Sequence, residues 1–555
     1  MAFGILDIQD GAHAPGTVIL DEKAANIQSA NSTLKHGKGS NSHLVLEPQP
    51  SNDPNDPLNW PQWYKELHLW VVVLGTILNG ALPGPLLNAG FVEIASELNR
   101  PLVDLVKTSG YLLIVTGASG PFVSAISRKW GKRPVYILSS LMAIVAVIVG
   151  EVATTYSALL ASRVVHGLAV SAYESLTLAS VGDLFFIHER GPRVAIIMVM
   201  ITAIGNGISI IAGPITSRLG WHFNYHILLP FVVVQFIAVV LLVEETAYNR
   251  NPRSGLNHDP FLETAPGGSG IKTTTPDKPD STEMIEFQGS DTLTIPKRKA
   301  FLQRLALYNG PYTRDSFPKM VLASIVIVLN IGAAYSIIVT GVIIAWYVAV
   351  ALISSVIFSV PPYSYTAAGV GYVSTGPLIG GVLGSFFIGA TLDPTATWMT
   401  RRNKGVYEPE FRLPLVSVGA VFSIAGLCGF GHAIQDQRSV YLISFLWGML
   451  LFGMTILSTA ILHYVLDAFS RHSTEIFIMN MVFKNFFYYG VTNYIVQWYA
   501  MAGPASLFDA LGGITAAMCC LTIPMYIFGK RYRWFWHKNN LLVLLKLITV
   551  EREEN

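Results

Sequence analysis

The sequence predicts an all-α membrane protein of twelve transmembrane helices arranged as two six-helix halves. Three observations carry this expectation. Charged residues make up 13% of the chain and hydrophobic residues 52%, where a soluble domain carries roughly 25% charge. The charges crowd into short stretches between apolar runs, most of them near the roughly 20 residues a helix needs to cross the hydrocarbon core. A long polar insert divides those runs six and six.

In chain order, residues 1–65 form a polar tail rich in Asn, Ser, Pro and Asp. It has no apolar core near Met1, so the first span itself is expected to direct insertion in place of a cleaved leader. The first half, residues 66–244, holds spans at 67–87, 106–126, 135–152, 157–181, 194–215 and 225–243. Residues 245–318 form the insert. Its middle, 257–291, is dense in Gly, Thr, Ser, Pro and Asp and is expected to be disordered, because it cannot bury enough apolar surface. The second half, 319–528, holds spans at 321–358, 369–390, 413–431, 440–466, 475–498 and 507–528, followed by a tail at 529–555.

Loop charge sets the orientation. Arg128, Lys129, Lys132 and Arg133 follow helix 2, Arg190 and Arg193 follow helix 4, and Arg401, Arg402 and Lys404 follow helix 8. Lys530, Arg531, Arg533 and Lys538 lie beyond helix 12, whereas the opposite loops offer Arg100, Arg218 and Arg438. Both tails and the insert are therefore expected in the cytoplasm. The same rule decides how helix 7 crosses. Residues 321–358 are long enough for two spans, but two would place Arg401–Arg402 outside, so one broken or tilted crossing is expected, with Gly332 or Gly341 at the break. Residues 531–538 mix bases with aromatics directly after helix 12 and read as an interfacial anchor. The sequon Asn31-Ser-Thr33 falls on the cytoplasmic side and is expected to stay unused.

Other classes find little support. Cys428, Cys519 and Cys520 lie in apolar segments without metal or disulfide spacing and read as buried small hydrophobes. No nucleophile–base pair, Walker loop or dinucleotide fingerprint stands out, so an enzyme is not expected. A net charge of +2 gives no reason to expect a nucleic-acid partner.

Six ordered strings sit at the predicted membrane faces. They are Asp53-Pro-Asn-Asp-Pro-Leu-Asn-Trp60, Asp183-Leu-Phe-Phe-Ile-His-Glu-Arg-Gly191, Glu245-Thr-Ala-Tyr248, Pro361-Pro-Tyr363, Asn403-Lys-Gly-Val-Tyr-Glu-Pro-Glu-Phe-Arg-Leu-Pro414 and Gly529-Lys-Arg-Tyr-Arg533. With these the chain, over roughly residues 53–533, resembles the major facilitator superfamily. Within it, the chain resembles the fungal twelve-span drug:proton antiporters, closest in look to polyamine and histidinol-like transporters. The resemblance implies the major facilitator fold, with a site between the halves near the midplane.

It also directs attention to particular residues. Gly131-Lys132-Arg133 matches the basic end of the family's helix 2–3 loop, but Arg128 stands where that loop carries an acid, so its charge clasp must be rewired or absent. The corresponding place in the second half keeps the acid, Asp393. A solvated basic loop is the plainer reading of Lys129 and Lys132. Helix 4 carries Arg163, Gly167, Ser171 and Glu174; Arg163 and Glu174 are eleven residues, about three turns, apart and share a face. Arg163 matches the helix 4 arginine that the resemblance links to proton coupling; it equally suits a pair with a carboxylate in the bundle. Glu174 suits either a central site or an interfacial structural role, and His166 reads as structural. Gly213-Pro214 in helix 5, with Gly205-Asn206-Gly207 before it, matches the antiporter motif, although close packing alone would also use it. In helix 11, Asn480 and Lys484 share a face, and a lysine this deep is a functional candidate or half of a buried pair. The aromatics 486–489 and Trp346 either line a cavity or pack.

The function expected is secondary active transport of a small molecule by alternating access, probing inward and outward in turn. Proton-coupled export of drugs, toxic metabolites or polyamines leads, with import of a nutrient or polyamine by symport or facilitation as the alternative and a transporter-like sensor as a distant one. No cofactor is expected beyond the proton gradient. The protein is expected as a monomer in the plasma membrane, with the vacuolar membrane as alternative.

Overall fold

The computed structural model describes residues 3–6, 14–19, 48, 50–51, 53–248, 300–313, 315–469 and 472–545. The stretch 257–291 and the sequon at Asn31 lie outside these residues.

The first half contains α1 (Gln62–Glu97), α2 (Leu102–Trp130), α3 (Arg133–Glu151), α4 (Tyr156–Leu184), α5 (Ile187–Leu219) and α6 (His222–Leu242). The second contains α7 (Ile331–Phe358), α8 (Ala367–Arg402), α9 (Pro409–Gln435), α10 (Val440–Ala468), α11 (Ser473–Thr492) and α12 (Pro504–Leu544). Eleven of these are long and apolar enough to cross a membrane. The exception is α11, where Glu475, Asn480, Lys484 and Asn485 dilute the apolar run. It is shielded instead, packing along α2 and α7. The β structure among the described residues is one short antiparallel pair, β1 (Val18–Ile19) with β2 (Val406–Tyr407).

The overlong helix 7 segment resolves into α7 and a short apolar helix before it, Phe317–Leu329, too brief to span. The break falls at Asn330, not at Gly332 or Gly341. The Asn330 backbone leaves the helical path and its side chain accepts the Gly332 and Ala333 N–H groups, capping α7. Gly332 lies against the Phe469 ring, and Gly341 sits inside unbroken helix against Phe483. The short helix lies over the α2–α11 seam, with Phe317 stacked on Trp130 at 5.9 Å between ring centroids. Helix α1 also breaks. Past Gly75 it widens into a π turn, Thr76–Ala81, then tightens into a 3-10 turn, Pro85–Gly90. Pro83 and Pro85 have no N–H to continue the ladder, which frees carbonyls at this point.

The halves meet along α2–α11, through α5–α8, and where α1 meets α7. At the end away from the basic loops the seam is apolar and shut. Leu87, Phe91 and Ile94 of α1 share a buried core with Val350, Ile353 and Ile357 of α7. There Glu93 Oε1 also accepts the Ala367 N–H at 3.2 Å, so a first-half carboxylate caps the start of α8. Towards the basic end, α4 and α10 each keep a partly exposed stripe, Glu174, Ser175, Leu178 and Gly182 on α4 and Thr455, Ser458, Thr459 and Leu462 on α10.

The cysteines are free, but they are not the buried residues expected: Cys428 and Cys519 are half-buried and Cys520 is exposed on the outer face of α12. An apolar run does not distinguish the core from the lipid-facing side.

Within the second half, α8 and α10 cross backbone to backbone. A Cβ on Gly376 or Gly380 would overlap the carbonyl of Ser444 or Gly448. Gly205 on α5 faces open space. Gly380→Ala is therefore expected to destabilise the protein by about 1–3 kcal/mol through overpacking, whereas Gly205→Ala should be neutral or slightly stabilising. Melting temperatures of the detergent-solubilised variants check this, and equal values would refute the close crossing.

Candidate functional site at the seam

The two intramembrane charges that the sequence analysis placed on separate helices meet. Lys484 Nζ of α11 donates to Glu174 Oε1 of α4, an ion pair joining the halves across 310 residues of sequence. Both side chains stay partly exposed, at 20% and 26%. Helix pitch explains the approach. Gly117 and Gly120 of α2 lie against Asn485, Phe486 and Met481, so α11 seats closely enough for Lys484 to reach across. Ser175, next to Glu174, donates to Met481 Sδ at 3.4 Å. Asn480, on the Lys484 face, turns to its own half and donates to Thr340 Oγ1 of α7 at 2.8 Å. Beside them Phe483, Phe487 and Trp346 form a panel, with centroid distances of 5.8 and 5.3 Å. Of the other aromatics, Phe486 is exposed, Tyr488 is buried and Tyr489 packs on Tyr111.

Arg163 is fully buried, and its partner is not a carboxylate. Its Nη1 donates to the Pro83 carbonyl at the break in α1. This contact fixes α4 to the break in α1, while Nε and Nη2 have no partner among the described residues. Arg163 and Glu174 share the α4 stripe but serve different contacts, one with α1 and one with α11. Gly167 between them lets α4 close on the Leu112 carbonyl and Val115 of α2, and Thr116 donates to the Gly167 carbonyl at 3.0 Å. His166 is buried with neither ring nitrogen paired among the described residues.

The helix 2–3 loop is a joint, not a solvated loop. Gly131 adopts φ +99°, and a Cβ there would overlap the Glu245 carboxylate. That carboxylate accepts the N–H groups of Lys132 and Arg133 at 2.9 and 3.1 Å, capping α3. Burial holds its carboxyl above the usual carboxylate range, with the backbone donors opposing. Lys132 pairs with Asp183 at 2.6 Å, and Thr246 donates to the same carboxylate at 2.8 Å. The Arg133 guanidinium donates to the Val240 carbonyl at 2.9 Å. Arg128, in the acid's place, pairs at 2.6 Å with Glu475 in the first turn of α11. The loop thus presents a base, in the acid's place, to an acid on α11. In the second half Asp393 is exposed and bonds Arg412 at 3.0 Å, and Arg412 is held more closely by Asp467 at 2.5 Å. Gly213 meets the Ala367 carbonyl where α5 crosses α8 between the halves, with Pro214 following inside α5.

Sequence reasoning missed two groups. One is a buried polar chain through the first half: Asn79 to Gln235 at 3.0 Å, Gln235 to Tyr173 at 2.8 Å, and Tyr173 to Ser140 at 2.6 Å. Polar residues recurring in apolar spans were its signal. The other is Arg533, assigned to the interfacial stretch but fully buried with Glu408 and Glu410 at 2.9 and 2.8 Å. The sign of the Glu174–Lys484 pair gives a stability test. Lys484→Met leaves an unpaired carboxylate inside the bundle, a cost of roughly 2.5–3.5 kcal/mol. Adding Glu174→Gln should recover most of the lost melting temperature, since two neutral groups are cheaper to bury than one lone charge. A double variant no more stable than Lys484→Met would refute the pairing.

Comparison with known proteins identifies the family. Residues 69–504 match the model of the Major Facilitator Superfamily. An uncharacterised transporter of this type from Schizosaccharomyces pombe is 24% identical, covering 94% of this chain and 92% of its own. Protein HOL1 of Saccharomyces cerevisiae is also 24% identical, covering 91% and 93%. Among solved structures, the xylose transporter XylE from E. coli, in a partially occluded inward open conformation, aligns with a TM-score of 0.54 at 15% identity over 84% of this chain and 98% of its own. The chain belongs to the Major Facilitator Superfamily, and it is a multi-pass membrane transporter, not an enzyme.

Proposed function

We propose that this protein is a proton-coupled carrier of twelve spans that exports drugs, toxic metabolites or polyamines by alternating access. Its two halves would rock about the seam, with the basic end and both tails in the cytoplasm of a plasma-membrane protein and the vacuolar membrane as the alternative address. The proton gradient is its driving force, and it works as a monomer. The observation that carries this reading is the Glu174–Lys484 ion pair. It joins the halves, lies at the seam and remains accessible.

The chemistry follows from the pair's composition. A proton on Glu174 cancels the carboxylate charge and releases Lys484, which loosens α4 from α11. A cationic group of the cargo would contend with both the proton and Lys484 for the same carboxylate. The panel of Phe483, Phe487 and Trp346 supplies apolar and cation–π surface next to it. Arg163 holds the break in α1 against α4 and keeps the seam's shape during the exchange.

Purified protein in vesicles under an imposed pH gradient tests the proposal, with cargo chosen by a growth screen of toxic compounds and polyamines. Wild-type vesicles should accumulate cargo only when the gradient has the coupling sign. Glu174→Gln should cut gradient-driven accumulation at least about tenfold, the scale of losing one charge-assisted contact. Arg163→Ala should abolish accumulation while the protein stays folded. Wild-type accumulation by the Glu174→Gln variant would rule out this carboxylate as the coupling group.

A further inference from the structure

Residues 3–6 and 14–19 precede the first half in sequence, yet they lie on the second half, at its basic end. Ile5 is buried with Ala396, Met399 and Phe411. The Phe3 ring packs on Trp398 and Phe411, each at 6.0 Å. Leu6 N–H donates to the Ile527 carbonyl of α12 at 3.0 Å, and Tyr526 donates to the Phe3 carbonyl at 3.1 Å. Further on, β1 adds a strand to β2 in the α8–α9 loop, pairing Val18 with Tyr407 and Ile19 with Val406.

Between these contacts the segment enters the buried charge cluster. Glu408 and Glu410 are 1% and 0% exposed, and face Arg533 and Lys530. The Thr17 hydroxyl donates to Glu408 Oε2 at 2.7 Å, and Arg533 donates to the Pro15 carbonyl. Gly16 has φ +84°, and a Cβ there would stand 2.5 Å from the Asp467 carbonyl oxygen and 3.2 Å from Pro409. Only glycine meets both the conformation and the space. From Asp53 onwards the chain is fixed to the first half: Tyr248 donates to Asp53 at 3.0 Å, Asp56 caps the turn Pro57–Asn59, and Trp60 is buried in the first half's core.

We propose that residues 3–6 and 14–19 are a docking peptide carried by the chain itself. Its receptor is the basic end of the second half, formed by the α8–α9 loop, the Asp467 end of α10 and the Ile527–Arg533 turns of α12. Asp53–Trp60 is held by the first half, so the amino-terminal region carries contacts on both halves. Peptide and receptor share a chain, so docking is intramolecular and a modest intrinsic affinity keeps the site filled.

A cross-strand disulfide tests this in the full-length protein. Paired antiparallel residues have Cα atoms about 4.5–5.5 Å apart, within reach of a disulfide. The protein carries Ile19→Cys and Val406→Cys, with Cys428, Cys519 and Cys520 changed to Ser and a protease site inserted between residues 20 and 47. After mild oxidation and cleavage, the amino-terminal fragment should stay attached on a non-reducing gel. Gly16→Val should slow cross-linking at least about tenfold, and so should Ile5→Asp. Both lie in the segment itself, outside the helical bundle. A cross-linking rate that neither variant lowers, or no cross-link in the parent, would overturn the proposal.

Discussion

A charge inside a bilayer-spanning bundle must find a partner or a polar cavity, and the seam of this protein is organised by that constraint. Lys484 is the clearest case. On α11 alone it would lie among apolar turns, too deep to reach water easily. Its partner is on the other half, so the residue that makes α11 the least apolar long helix also makes it an inter-half contact. The surroundings follow from the same need. Helix α11 is sheltered by α2 and α7, and glycines in α2 let it approach closely. Arg163 meets the constraint differently, by donating to the Pro83 backbone carbonyl at the break in α1.

At the basic end the same rule turns short motifs into joints. Thr246 after α6 and Lys132 before α3 converge on the carboxylate of Asp183 at the end of α4. Glu245 caps α3 from the same short string that supplies Thr246. These strings are distant in sequence, and their shared purpose appears only where three helix ends meet. The pair Arg128–Glu475 belongs here too. Placing the base on α2 and the acid in the first turn of α11 is electrostatically sound, because a carboxylate near a helix N-terminus also complements the helix dipole. The second half keeps its acid, Asp393, but answers it within the half through Arg412. The two pseudo-equivalent loops therefore do different work: one grips the other half, and one braces its own.

What the sequence made legible was whatever depends on local composition. Hydropathy located the long helices, and the depth of Lys484 and Glu174 marked them as residues in need of an explanation. Partner identity was not local and could not be read. Nothing near Arg163 points to the Pro83 carbonyl, eighty residues earlier, and nothing near Lys484 singles out Glu174. The break before α7 was placed at a glycine because glycine is the usual weak point, yet Asn330 makes it by capping, and capping depends on side-chain geometry. Arg533 was assigned to the membrane interface because its neighbours are aromatic and basic. Its carboxylate partners lie in a loop more than a hundred residues away.

The Glu174–Lys484 pair also constrains the proposed coupling. With Glu174 ionised the pair is neutral; a proton there would leave the positive charge of Lys484 uncompensated. That charge would repel a cation more strongly than the neutral pair does. A cationic cargo must also displace Lys484 to reach the carboxylate, and the displaced ammonium then needs water or a new partner. In the proposed mechanism proton and cation would be alternatives at one site, each leaving Lys484 unpaired and the α4–α11 contact weakened. Mutual exclusion at a contact between the halves is the physical requirement of exchange, and one carboxylate shared with a lysine on the opposite half is a group through which the proposed mechanism would meet it.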